Sequence, residues 1–207
     1  MITLTIGGVD KGGVGKTTAA VTIGHGLALL GYKTIIVDLD SQGHVAYYLG
    51  MKRKPAIYRL LKDGAPVTDC VTLARAPNLA IIPSDQSTAR VEKDLLSMRF
   101  RELRLKHALD PLADNGPDFV VLDTAPGAGP LHDAAMTASD YVLAVVEAAT
   151  ASLDGLALLT HTIAEFQTMG HPLGLLGVVP TMLDDRTIAS KEAVDALEAA
   201  EDTLAPV

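Results

Sequence analysis

A chain of 207 residues, 48% of them hydrophobic, is long enough and apolar enough for one domain with a sizeable core. Its single cysteine, Cys70, excludes a disulfide framework or a cysteine-rich metal or iron-sulfur centre within one chain, and makes a reducing cytoplasm the simplest compartment. A net charge of -8 argues against nucleic-acid binding through bulk charge and leaves room for a local basic patch.

Met1 to Val9 is an apolar, β-branched run that predicts a strand, and it breaks into glycines before a helical pattern from Lys16 to Leu30, ended by Gly31. Thr34-Ile35-Ile36-Val37 predicts the next buried strand, with Asp38 and Asp40 at its carboxyl end. Further strands are expected at Leu79 to Ile82, Phe119 to Leu122, Tyr141 to Val146 and Leu173 to Val179. Amphipathic helical patterns run from about Thr88 to Ala113, Leu131 to Ala138, Leu153 to Met169 and Ile188 to Leu204. Strands alternating with helices imply an α/β fold: a single doubly wound, mostly parallel sheet with helices on both faces. Ligands of such sheets bind beyond the carboxyl ends of the strands. No apolar run approaches the roughly 20 residues that span a bilayer, and no signal peptide is evident, so a soluble chain that is not exported is expected.

The loop Asp10-Lys11-Gly12-Gly13-Val14-Gly15-Lys16-Thr17-Thr18 nearly fits the phosphate-binding pattern G-x-x-x-x-G-K-[ST], with Asp10 in place of the first glycine. Backbone N-H groups of Gly12, Gly13, Val14 and Gly15 can converge on one anion, helped by the positive end of the following helix. Lys16 reaches β and γ phosphates, Thr17 ligates Mg²⁺ through its hydroxyl, and Thr18 bonds a phosphate oxygen. Asp38 and Asp40 are placed to hold metal-bound waters and orient an attacking water. An apolar strand ending in Asp123 puts a further carboxylate in the outer shell of Mg²⁺, and Gly127 offers an N-H to the γ-phosphate. His25, His107, His132, His161 and His171 lack ligand-like spacing and are read as structural.

These elements, in this order, resemble the ParA/MinD group of P-loop ATPases, whose deviant phosphate loop Lys11-Gly12-Gly13-Val14-Gly15-Lys16-Thr17-Thr18 matches. The resemblance spans nearly the whole chain and implies ATP and Mg²⁺ as ligands. It implies that Lys11 crosses a dimer interface to the partner's ATP, that Asp40 positions the hydrolytic water, and that Asp38 and Asp123 support Mg²⁺. It places Gly127 in a switch loop and Thr181 or Met182 near the adenine. Asp10, Ser41, His44 and Ala125 depart from the family's commonest residues, and none of them removes a reacting group. Relative to the family, the domain spanning 1–207 is expected to lack the usual last strand and C-terminal helices.

Within the group, one cysteine disfavours the cluster-binding branches, and the acidic last segment, with Glu192, Asp195, Glu198, Glu201 and Asp202 against Lys191, disfavours a membrane-binding helix. The resemblance is thus closest to Soj-like partition ATPases. It implies an ATP-dependent homodimer, a ParB-like activating partner, non-specific DNA binding without a membrane, and a cytoplasmic, nucleoid-associated location. Arg99, Arg101, Arg104 and Lys106, expected on one helix, are the candidate DNA contacts, and Lys52, Arg53, Lys54, Arg59 and Lys62 form a second basic cluster. Positioning of a protein cargo over the nucleoid, a MinD-like regulator and a metabolic ligase that activates a carboxylate stand as alternatives.

Overall fold

A computed structural model of the chain describes residues 1–8, 12–114, 116–148, 153–184 and 186–199. The chain runs β1 (Ile2–Gly8), α1 (Lys16–Leu29) and β2 (Thr34–Asp38), then three short helices α2 (His44–Tyr48), α3 (Ala56–Leu61) and α4 (Val67–Cys70). It continues through β3 (Thr72–Leu73), β4 (Leu79–Ile82), α5 (Thr88–Leu95), α6 (Arg104–Leu109), β5 (Phe119–Asp123), α7 (Pro130–Ala138) and β6 (Tyr141–Glu147). The last elements are α8 (Leu153–Thr168), β7 (Gly174–Thr181) and α9 (Ile188–Ala199).

The strands form one seven-stranded sheet in the order β3-β4-β2-β5-β1-β6-β7. Every pairing is parallel except that of β3 with β4. Parallel strands need helical crossovers, which cover both faces, so the strands read as nearly unbroken apolar runs. Alternation along them splits the core: Ile35, Val37, Val120 and Leu122 pack with α3, α5, α6 and α7, whereas Ile36, Val121, Leu4 and Ile6 pack with α1 and α2. A third cluster joins β6 and β7 to α8 through Val142, Ala144, Leu159 and Ile163. The order places β1 at the point where crossovers change direction, and its loop opens between β5 and β6.

Two expectations change. The helix expected from Thr88 to Ala113 is broken: Ser97 and Met98 close tight turns onto Asp94 and Leu95, and Phe100 takes a left-handed φ of 53°. Short 3-10 turns at Arg101–Leu103 and Asp110–Leu112 then flank α6. With the helix broken, Leu95, Leu105, Leu109 and Leu112 all reach the same core. Arg99 and Arg101 therefore lie in the turns before α6, and only Arg104 and Lys106 share a helix. Second, β7 does not stop at Pro180 but runs through it to Thr181, because β7 is an edge strand paired only to β6 and a proline there costs no ladder bond on the open side.

Candidate active site

The phosphate loop is shaped by glycine where the backbone demands it. Gly13 and Gly15 have φ of 87° and 96°, in the left-handed region that side chains resist. Gly15 caps α1 with no side chain bonded to the first-turn N-H groups and no acidic residue in that turn, so the positive helix end is open to an anion. Lys16 follows and is buried. Behind the loop, the Thr181 hydroxyl lies within hydrogen-bond distance of two carbonyls, Val14 at 2.7 Å and Val146 at 3.1 Å. Thr181 thus ties the end of β7 to the loop.

Asp38 ends β2 and organises the turn after it. One carboxylate oxygen accepts the Asp40 N-H at 3.1 Å and the other accepts the Val45 N-H, also at 3.1 Å, so Asp38 caps α2 from a distance in sequence. Asp40 in turn accepts the Gln42 N-H at 2.9 Å, and the Ser84 hydroxyl donates to the Asp40 carbonyl. Gly43, with φ of 64°, completes the turn, and a Cβ there would lie 2.9 Å from both the Arg53 side chain and the Ser84 carbonyl.

Asp123 is the in-register neighbour of Asp38 on β5. Its carboxylate oxygens are buried and make no full hydrogen bond among the described residues. Burial pushes its pKa up to about 8, and the charge of Asp38 adds to the rise; the Thr17 hydroxyl and the Lys16 ammonium pull only partway back. Burial likewise raises Asp38 to about 7, against the N-H groups of Asp40 and Val45. Two buried carboxylates side by side, both pushed above their ordinary pKa, are an arrangement that a cation relieves. Next to Asp123, Thr124 donates to the Ile6 carbonyl at 3.0 Å and fastens β5 to β1.

A cleft of about 560 Å³ opens over the phosphate loop, and Asp38, Asp123 and Thr181 are not among the residues that line it. Residues Gly13 to Thr18 line one wall, Asp40, Ser41, Gln42, His44 and Tyr48 a second, and Thr124, Ala125 and Pro126 a third. Gln42, His44 and Tyr48 were not singled out from the sequence as cleft residues; they follow the acidic pair on a turn whose direction only the fold reveals. Pro126 also packs against Gly12. Gly127, with φ of 88°, follows directly and does not line the cleft, and Met182 is exposed with a left-handed φ of 55°. Lys11 lies outside the described residues. Arg99 and Arg104 line a separate hollow, and neither Arg101 nor Lys106 lines either space.

A glycine loop leading from a central parallel strand into an open helix N-terminus, with a buried lysine and carboxylates ending the neighbouring strands, defines a P-loop nucleoside triphosphatase. A family model described as an AAA domain matches residues 4–172. The chain is 37% identical over 182 residues to the sporulation initiation inhibitor protein Soj of Bacillus subtilis, covering 86% of this chain and 72% of that protein. It is 36% identical over 188 residues to the chromosome partitioning protein ParA of Caulobacter vibrioides, covering 88% and 70%. Cobyrinic acid a,c-diamide synthase from Mycobacterium smegmatis, solved with bound ADP and magnesium, matches the fold with a TM-score of 0.87 at 29% identity, over 100% of this chain and 84% of that one. The chain belongs to the ParA/MinD-type P-loop ATPases.

Proposed function

We propose that the chain binds ATP with Mg²⁺ in this cleft, hydrolyses it to ADP and phosphate, and uses the ATP-bound state to join two copies into a DNA-binding dimer that serves plasmid or chromosome partition. The observation that carries the reading is the buried Asp123 carboxylate, in register with Asp38 and reached by Thr17 and Lys16 of a loop built for phosphate. No group of three or more metal-ligating side chains lies among the described residues, so a divalent ion here would rest on Thr17, on the two carboxylates and on the phosphates of its nucleotide. Bound there, Mg²⁺ would neutralise phosphate charge and polarise the terminal phosphorus.

The chain's own groups do the rest. The N-H groups of Gly13 to Thr18 and the Lys16 ammonium hold the phosphates, with the Thr181 clasp fixing the loop before ligand arrives. Asp40, held by the Gln42 N-H and by Ser84, orients the attacking water, and Gly127 offers its N-H to the γ-phosphate. Lys11 supplies charge to the partner's nucleotide, which favours pairing only when ATP is bound. Thr181 or Met182 borders the adenine. A ParB-like partner speeds hydrolysis, and the dimer works in the cytoplasm on the nucleoid. Among the described residues no helix is long and apolar enough to cross a membrane.

Arg101 and Lys106, outside the hollow that takes up Arg99 and Arg104, are the residues of that basic cluster left to meet phosphate backbone. The test is light scattering and DNA binding with a non-hydrolysable ATP analogue. Lys16→Ala should lose ATP binding, Asp40→Ala should dimerise without hydrolysing, and Lys11→Ala should bind ATP and stay monomeric. Arg101→Glu with Lys106→Glu should weaken salt-sensitive DNA binding. DNA affinity indifferent to the analogue would overturn the switch, and phosphate release that requires a small carboxylate substrate would favour a ligase.

A further inference from the structure

On the face of the sheet opposite α1, a hollow of about 590 Å³ opens between the end of α3 and the turns entering α6. Its apolar lining is Leu60 and Leu61, both buried, with Leu103 and the side chain of Phe100, which is 71% exposed. Three cations surround it, Lys62, Arg99 and Arg104, with His107 beside them. Lys62 is matched by Asp94 at 2.8 Å, whereas Arg99, Arg104 and His107 have no acidic partner among the described residues. On a chain of net charge -8, this is a local reversal of sign placed around an apolar hole.

We propose that this hollow is a docking socket for a short acidic segment of a partner protein, which seats one apolar side chain among Leu60, Leu61, Leu103 and Phe100 while its carboxylates meet Arg99 and Arg104. Both halves of the surface point to a peptide. Guanidinium groups pair with carboxylates through two parallel N-H bonds, and an exposed aromatic beside an apolar pocket is the usual anchor of a protein interface. Duplex DNA satisfies the arginines but has no group to fill the hole, which leaves Phe100 in water. The left-handed backbone at Phe100 is what turns its side chain out beside the two arginines and breaks the expected helix at this place.

The socket is close to the switch segments. The turn at Arg101–Leu103 and α6 both pack on α7, the helix that follows Asp123 and Gly127, and the Glu92 carboxylate of α5 lies against Gly129 at the start of that helix. A bound peptide therefore touches elements one layer from the nucleotide. That link rests on the ATPase reading; the docking itself does not.

The experiment is fluorescence anisotropy on the full chain without nucleotide, using a labelled short peptide of aspartate and glutamate with one central leucine, the same peptide with central alanine, and a short duplex DNA. The leucine peptide should bind, with central alanine and Phe100→Ala each weakening it several-fold. Arg99→Glu with Arg104→Glu should weaken it about tenfold or more. ATP binding and the unfolding midpoint of these variants should match the parent. Absence of peptide binding, equal binding of both peptides, or DNA bound more tightly than peptide and lost in the arginine variant would each overturn the proposal. Because no nucleotide is present, each of those failures leaves the ATPase reading intact.

Discussion

Asp38 and Asp123 are paired in register at the last residues of neighbouring parallel strands, β2 and β5, with both carboxylates out of water. Burial is the main reason that both carboxyls hold their protons, and the charge of Asp38 adds to the rise at Asp123. In the unfolded chain both ionise near their ordinary value of 3.8, while the folded chain keeps its protons up to about 7 for Asp38 and about 8 for Asp123. Folding thus takes up protons between those limits. The contribution of this pair to the stability of the protein free of metal and nucleotide should be full below pH 3.8 and fall as pH rises toward about 8. Denaturant unfolding with a chelator present checks this, and MgATP should flatten the slope. A level profile from acid to neutral pH counts against the pair.

Replacing Asp123 by asparagine removes one of two crowded carboxylates and keeps the shape. At pH 8 the metal-free variant should be more stable than the parent, on the order of 2 kcal/mol, with the gain shrinking in acid. Its Mg²⁺-dependent nucleotide affinity should fall. Calorimetric unfolding paired with titration of nucleotide reads both effects, and destabilisation at pH 8 contradicts the reading.

Thr181→Val deletes the clasp between β7 and the phosphate loop and leaves the Val14 and Val146 carbonyls without that partner. The expected cost is about 1–2 kcal/mol of stability together with weaker nucleotide binding, since the loop is no longer held in place. Thr181→Ser should restore most of both. Equal affinity in the valine variant would show that the loop orders itself.

Gly43→Ala tests the turn between Asp40 and α2. The left-handed φ of 64° and a Cβ 2.9 Å from Arg53 and from the Ser84 carbonyl leave the turn no room. A stability loss of about 1–2 kcal/mol is expected. The turnover number should drop more than KM rises, because Asp40 shifts while the phosphate loop stays put. Steady-state kinetics separates the two.

Much of this was legible in the sequence. The central strands are continuous apolar runs, and the phosphate loop and both strand-end carboxylates stand out because their chemistry fixes their spacing. Helices α2, α3 and α4 were not, since pieces of 5, 6 and 4 residues are too short to display a period. The break at Phe100 was hidden for another reason: the leucines keep an amphipathic pattern across the break in the helix. Thr181 reads as a nucleobase neighbour by motif, yet its hydroxyl meets a carbonyl 167 residues away, a contact that only tertiary structure makes visible. The pairing of Asp38 with Asp123 likewise depends on strand order.

Strand order has one more effect. The segments after β2 and β5 leave the sheet next to the phosphate loop but travel apart, one into α2 at the rim of the cleft and the other into α7, against which α6 is packed. The cleft is thereby bordered by two chain segments whose far ends lie apart, one at its mouth and one on the far face of the sheet. A partner seated at either place would touch a segment rooted beside the phosphate loop without touching a partner seated at the other.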